Sequence, residues 1–113
     1  MNYVQHQLRD LPTHRGFLQD LACTPLTQGQ LTEKYGFVFE EVPDEISMTE
    51  ASFVATASGR LFVIVCRRSV PEWSNTIRTE LSDEPLATYV SRTLSEFCES
   101  TDFADDDLDL IWV

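Results

Sequence analysis

The sequence predicts an α+β fold: an antiparallel sheet of four to five strands, helices at the amino end, and one long helix packed on the sheet near the carboxyl end. Three observations carry this expectation. Apolar residues before position 36 recur at helical spacing. From 36 to 67 their period drops to two. A long amphipathic stretch over 84–98 then precedes an alternating tail.

In "MNYVQHQLRDL" the apolar residues Tyr3, Val4, Leu8 and Leu11 suit a first helix, which Pro12 stops because it lacks a backbone donor. "PTHRGFLQDLA" suits a second, with Thr13 as N-cap and Phe17, Leu18 and Leu21 on one face. "LTQGQLTEKYG" suits a third and shorter one. Thr27 and Gln30 have capping-box spacing, and Gly36 is placed to close it. "GFVFEEV" alternates Phe37 and Phe39 against Val38 and Glu40, as a half-buried strand does. "VPDEISMTE" reads as a loop. In "ASFVATASGRLFVIVCRR" two β-rich runs flank Ser58-Gly59, which predicts a hairpin. A two-residue turn there sets Ala57 opposite Arg60, Ala55 opposite Phe62 and Phe53 opposite Ile64. Val54, Leu61, Val63 and Val65 then share the other face. Both faces of 61–66 are apolar, so this strand is expected to be central. In "SVPEWSNTIRTEL" Trp73, Ile77 and Leu81 are spaced for a helix, while Ile77, Thr79 and Leu81 alternate as in a strand; the strand over 75–81 is the reading taken. Leu86, Tyr89, Val90, Leu94, Phe97 and Cys98 form one stripe of the long helix, with Ser82, Asp83, Glu84 and Pro85 at its start. The chain ends "DFADDDLDLIWV". Leu108, Leu110 and Trp112 alternate with Asp109, Ile111 and Val113, which predicts a terminal strand after a solvated acidic loop.

A chain of 113 residues fits one domain spanning 1–113. That size buries roughly two-thirds of its extended surface, enough for a core without staples. The net charge of −11 is uneven. Residues 58–79 sum to +3, from Arg60, Arg67, Arg68 and Arg78 against Glu72, whereas residues 80–113 sum to −9. This sign repels nucleic acid and anionic lipid and favours a protein partner with a basic surface. Cys23, Cys66 and Cys98 are odd in number and contain no C-x-x-C, which predicts reduced thiols and a cytoplasmic protein. The opening "MNYVQHQLRD" lacks a signal-peptide pattern, and the apolar run "LFVIVC" is far too short for a membrane span.

No chemistry-bearing constellation emerges, so no catalytic residue, cofactor or metal is expected. A calcium loop starting at Asp102 would place Asp107 where glycine is needed and Val113 where glutamate is needed. His6, Asp10 and His14 share a spacing of four, but Pro12 breaks the register, and they read as surface residues. A Cys23–His14 dyad is the one nucleophilic pairing. All three cysteines sit in apolar patterns and read as inert core. Arg60, Arg67, Arg68 and Arg78 with Trp73 form a basic patch that offsets acidic neighbours. Four glycines leave no phosphate loop.

The tail "DFADDDLDLIWV" resembles the acidic tip of bacterial single-stranded-DNA-binding proteins, in which aspartates precede a short apolar end that recruits partners. It departs from that tip in closing on Ile111-Trp112-Val113 without proline and phenylalanine. In size and charge the chain is similar to toxin-immunity proteins and phage-encoded inhibitors of host defence, and also to type III secretion chaperones. The expectation is a non-enzymatic binding protein that occludes or neutralises a basic partner. Its contact surface would be Asp102, Asp105, Asp106, Asp107 and Asp109 with Glu96 and Glu99. The alternative is a secretion-type chaperone or assembly adaptor acting as a homodimer. A third class is an enzyme with a dispersed carboxylate or thiol site.

Overall fold

The computed structural model describes residues 3–7, 18–42, 49–67, 75–80 and 85–110. Seven strands form one antiparallel sheet: β1 (Tyr3–His6), β2 (Leu18–Thr24), β3 (Glu40–Val42), β4 (Thr49–Thr56), β5 (Leu61–Arg67), β6 (Asn75–Glu80) and β7 (Asp109–Leu110). The spatial order is β1-β4-β5-β6-β2-β7, and β3 also pairs with β4. Two helices, α1 (Gln28–Tyr35) and α2 (Leu86–Thr101), complete the described residues. The α+β class and the antiparallel sheet stand. The sheet exceeds the expected four to five strands. The expected set of amino-terminal helices with one long carboxyl-terminal helix is replaced by one helix toward each end.

Both corrections at the amino end have a physical reason. The first expected helix contains β1, which pairs with Phe53–Thr56 of β4. Its side chains divide between two faces. Tyr3 packs against the core, while Val4 is 59% exposed. The second expected helix overlaps β2 from Leu18 onward, and its first part (12–17) lies outside the described residues, as do 8–11 of the first. A bulge between Asp20 and Ala22 breaks the alternation of β2. Leu21 and Ala22 are therefore both fully buried, although adjacent. Two consecutive core residues hide a period of two, and their neighbours then mimic helical spacing.

The β4–β5 hairpin also differs from expectation. The Thr56 N–H donates to the Arg60 carbonyl at 3.0 Å, and the Gly59 N–H donates to the Thr56 carbonyl at 2.9 Å. The loop therefore has three residues, with Gly59 at φ 88° in the left-handed region. One extra loop residue moves every pairing by one. Ala55 faces Leu61, Val54 faces Phe62, and Phe53 faces Val63. Val54, Phe62 and Ile64 accordingly join the core beneath the helices, together with Leu21, Leu31, Ile77, Val90, Leu94, Phe97 and Phe103. Ala51, Phe53, Leu61, Val63 and Val65 form a second buried cluster. Strand β5 is central and buried on both faces, as its composition implied.

The sequence signals for α1 are met. The Thr27 hydroxyl accepts from the Gln30 N–H at 3.1 Å, and the Gln30 side chain accepts from the Thr27 N–H at 2.9 Å. Gly36 closes the helix at φ 77°. Of the strand expected over 36–42, only Glu40–Val42 pairs, although Phe37 and Phe39 do face the core. The strand expected over 75–81 is β6. The loop expected over 42–50 is shorter than its sequence suggests, because Val42 ends β3 and Thr49 and Glu50 begin β4; residues 43–48 lie outside the described residues. The carboxyl-terminal strand begins as expected, with Ala22 opposite Leu110 and Cys23 opposite Asp109. Residues 111–113 lie outside the described residues.

Tyr3, Tyr35, Phe37, Phe62, Phe97 and Phe103 form a continuous ring cluster between sheet and helices, with neighbouring centroids 4.3–6.4 Å apart. Phe97 touches three of these rings and is fully buried. Phe97→Ala should lower the unfolding free energy by about 3–5 kcal/mol in urea titrations. A Cβ at Gly59 meets nothing within 4 Å, so Gly59→Ala isolates the backbone strain and should cost only about 1 kcal/mol.

Candidate functional site

Helix α2 ends at Thr101, and Asp102 closes it in the left-handed conformation, φ 60°. The Phe103 N–H returns to the Cys98 carbonyl at 3.2 Å, and the Phe103 ring packs on Phe97 at 5.4 Å. Together these form a Schellman-type stop with its hydrophobic contact. The chain then makes a 3-10 turn over Asp105–Asp107 and enters β7. The segment is therefore ordered at both ends. Glu99, Asp102, Asp105, Asp106 and Asp109 are exposed along it.

Asp107 behaves differently from its neighbours. It is buried, at 9% exposure. The Tyr35 hydroxyl and the Lys34 ammonium both donate to its Oδ2, the lysine at 2.5 Å. Lys34 and then Tyr35 hold the Asp107 carboxyl below the usual carboxylate range, against the opposing effect of burial. The same bond raises Lys34. Burial raises the Tyr35 hydroxyl, which also accepts the Ala104 N–H at 3.0 Å. The expected solvated loop is thus a turn pinned to the end of α1 by its third aspartate.

The seven residues expected to contact a partner do not form one equivalent set. Asp102, Asp105, Asp106, Asp109 and Glu99 face solvent, and Asp107 is engaged with Lys34 and Tyr35. Glu96 lies farther back on α2. It pairs with Arg60 at 3.1 Å and accepts from the Ser58 hydroxyl at 2.5 Å. Arg60 also donates to the Tyr89 hydroxyl at 3.1 Å. Arg78 pairs with Asp20 at 2.5 Å. Two arginines of the basic patch therefore offset acidic neighbours; the Arg67 side chain, Arg68 and Trp73 lie outside the described set. Tyr35 and Lys34 carried no sequence signal, because their partner lies 72 and 73 residues away.

All three thiols are raised above their ordinary range. Burial pushes Cys66 up to about 12, with Glu50 adding to the effect. Cys23 and Cys98 are half-buried and also raised, by burial and by nearby carboxylates: Asp20 and Asp109 for Cys23, Asp105 and Glu99 for Cys98. His6 lies on β1; Asp10 and His14 lie outside the described residues. Among the described residues no group of three or more His, Cys, Asp or Glu side chains could hold a metal ion. No helix among them is long and apolar enough to cross a membrane. The chain matches no family model, no curated protein and no solved structure.

Asp107→Ala should cost about 1.5–3 kcal/mol, because it strands the buried Tyr35 hydroxyl. The carboxylate is depressed in the folded state, so its contribution is fully present above the range of a free carboxyl. It is lost as pH falls through the lowered value. The stability gap between the wild type and Asp107→Asn should therefore narrow on acidification, as read by thermal melts across pH.

Proposed function

We propose that this protein is a small, acidic, non-enzymatic binding protein that occludes or neutralises a partner protein with a basic surface. The observation that carries this reading is the ordered row of exposed carboxylates at Glu99, Asp102, Asp105, Asp106 and Asp109. A fixed row of like charge presents a field without the entropic cost of ordering a tail on binding. The placement supports the reading in a second way. The carboxyl end of a helix is its negative pole and favours cations. Helix α2 has no basic residue in its last turn, and Glu99 and Asp102 stand there instead. That arrangement is unfavourable in the free protein and is relieved when a cationic surface docks. A chaperone or adaptor remains the alternative, and it predicts a different elution behaviour.

The test has two parts. Amino-terminally tagged protein captures partners from source-cell lysate, and a salt step elutes them. A basic protein released by salt is the expected result. The triple variant Asp105→Asn, Asp106→Asn, Asp109→Asn should bind that protein at least about tenfold more weakly at low salt, with the difference shrinking as salt rises. Equal affinity would remove the surface assignment. A salt-resistant apolar partner, with a bait that elutes at twice the monomer mass, would favour the chaperone. Independently, Glu99→Gln should stabilise the free protein by about 0.3–1 kcal/mol at low ionic strength in denaturant titrations.

A further inference from the structure

We propose that residues 104–110 are a strap that opens from the sheet as one unit, with the Tyr35 hydroxyl as its latch. The strap begins just past Phe103, whose buried ring packs on Tyr35 and Phe97 and belongs to the core. From Ala104 onward the chain closes on itself. The Asp107 N–H donates to the Ala104 carbonyl at 3.0 Å, and the Leu108 N–H donates to the Asp105 carbonyl at 3.1 Å. This small turn hangs from one oxygen atom at both of its ends. The Tyr35 hydroxyl accepts the Ala104 N–H at 3.0 Å and donates to the Asp107 carboxylate, on which the Lys34 ammonium also rests. Hydrogen bonds that share a hydroxyl polarise and strengthen one another, so losing either weakens both. One residue, Leu108, separates the turn from β7. The ladder of β7 has two residue pairs, Ala22 with Leu110 and Cys23 with Asp109. Strands are usually longer, about 3–10 residues, so β7 depends on the turn to hold its register.

Burial within the strap points the same way. Leu108 is partly buried against the core, while Asp105, Asp106 and Asp109 are exposed. Ile64 of β5, by contrast, is fully buried on a strand paired along both sides. Segments that bury little apolar surface and keep their backbone bonds near solvent open well below the free energy of global unfolding. Opening frees the edge of β2 at Ala22 and Cys23, and it sets Asp105, Asp106 and Asp109 on a mobile segment. The fixed row of carboxylates is complete only in the closed form. The latch therefore controls that surface, a consequence that rests on the proposed function, whereas the strap itself does not.

Amide hydrogen exchange of the full chain, followed by NMR across low urea concentrations, reads the opening. The Ala104, Asp107 and Leu108 amides, and those that pair β7 with β2, should share one protection factor. It should lie at least about tenfold below that of Ile64, with a flatter urea dependence. Tyr35→Phe keeps the ring and removes both bonds of the hydroxyl, so it should speed exchange at all of these amides by about tenfold or more. Val63→Ala weakens the second buried cluster, whereas Leu108 packs on the first. It should speed exchange at Ile64 and leave the strap amides within about twofold. A cooperative thermal transition confirms that each variant folds, and the urea series on the wild type decides the matter should Tyr35→Phe fail to fold. Strap amides that match Ile64 in both protection and urea dependence would overturn the proposal. So would β7 amides that keep their protection in Tyr35→Phe while those of 104–108 lose theirs. Neither outcome involves a partner, so the proposed function is tested separately.

Discussion

Tyr35 closes α1, and the structure uses its carbonyl, its ring and its hydroxyl at once. The carbonyl accepts the Tyr3 hydroxyl at 2.9 Å, which ties the end of the helix to β1. The ring stacks on Phe103 at 4.3 Å and 15°, which seats the chain just after α2. The hydroxyl receives the Ala104 N–H and donates to Asp107. One residue thus joins the amino-terminal strand, the first helix and the segment that leads into β7. Gly36 ends α1 directly after Tyr35, because its positive φ is the left-handed cap that closes the helix. This junction pins the middle of the acidic segment, whose ends are held by the stop of α2 and by β7.

Charge in this molecule is arranged with a division of labour. Arg60 and Arg78 are held in ion pairs with Glu96 and Asp20, each at part-exposed positions. Exposed pairs of that kind contribute little to stability. Both arginines are thereby engaged away from the carboxyl-terminal segment, where Glu99, Asp105, Asp106 and Asp109 are exposed. At the other end of the sheet the edge is built from two short pieces, β1 and β3, both paired with β4. Short edge pieces ordinarily protect a sheet from uncontrolled pairing.

The parts of the fold that were legible in the sequence share one property: their signals are local. The capping box at Thr27 and Gln30, the alternation of Ile77 and Thr79, and the long stripe from Tyr89 to Phe97 each lie within a single element. The parts that were not legible depend on partners elsewhere. Leu21 and Ala22 look helical because a bulge, set by pairing with β6, buries both. Ser58-Gly59 is compatible with a two-residue or a three-residue loop, and only the ladder decides between them. Asp107 is chemically identical to Asp105 and Asp106 in the sequence. What separates it is a hydroxyl on a distant helix. The acidic surface could therefore be read from composition as a region, while the residue that orders it could not.

Lys34 is the single lysine in the chain. Its side chain is 52% exposed and its ammonium rests on Asp107. Amine-directed reagents, used for dye labelling, cross-linking or immobilisation on sensor surfaces, therefore have one side-chain target, and it is the cation of the junction. Acylation there converts the ammonium to a neutral amide and removes a donor from a buried carboxylate. A sample prepared in that way is a perturbed protein whose acidic row has lost part of its anchor. Labels for quantitative work belong at an engineered position on the exposed face of α2, such as Ser95.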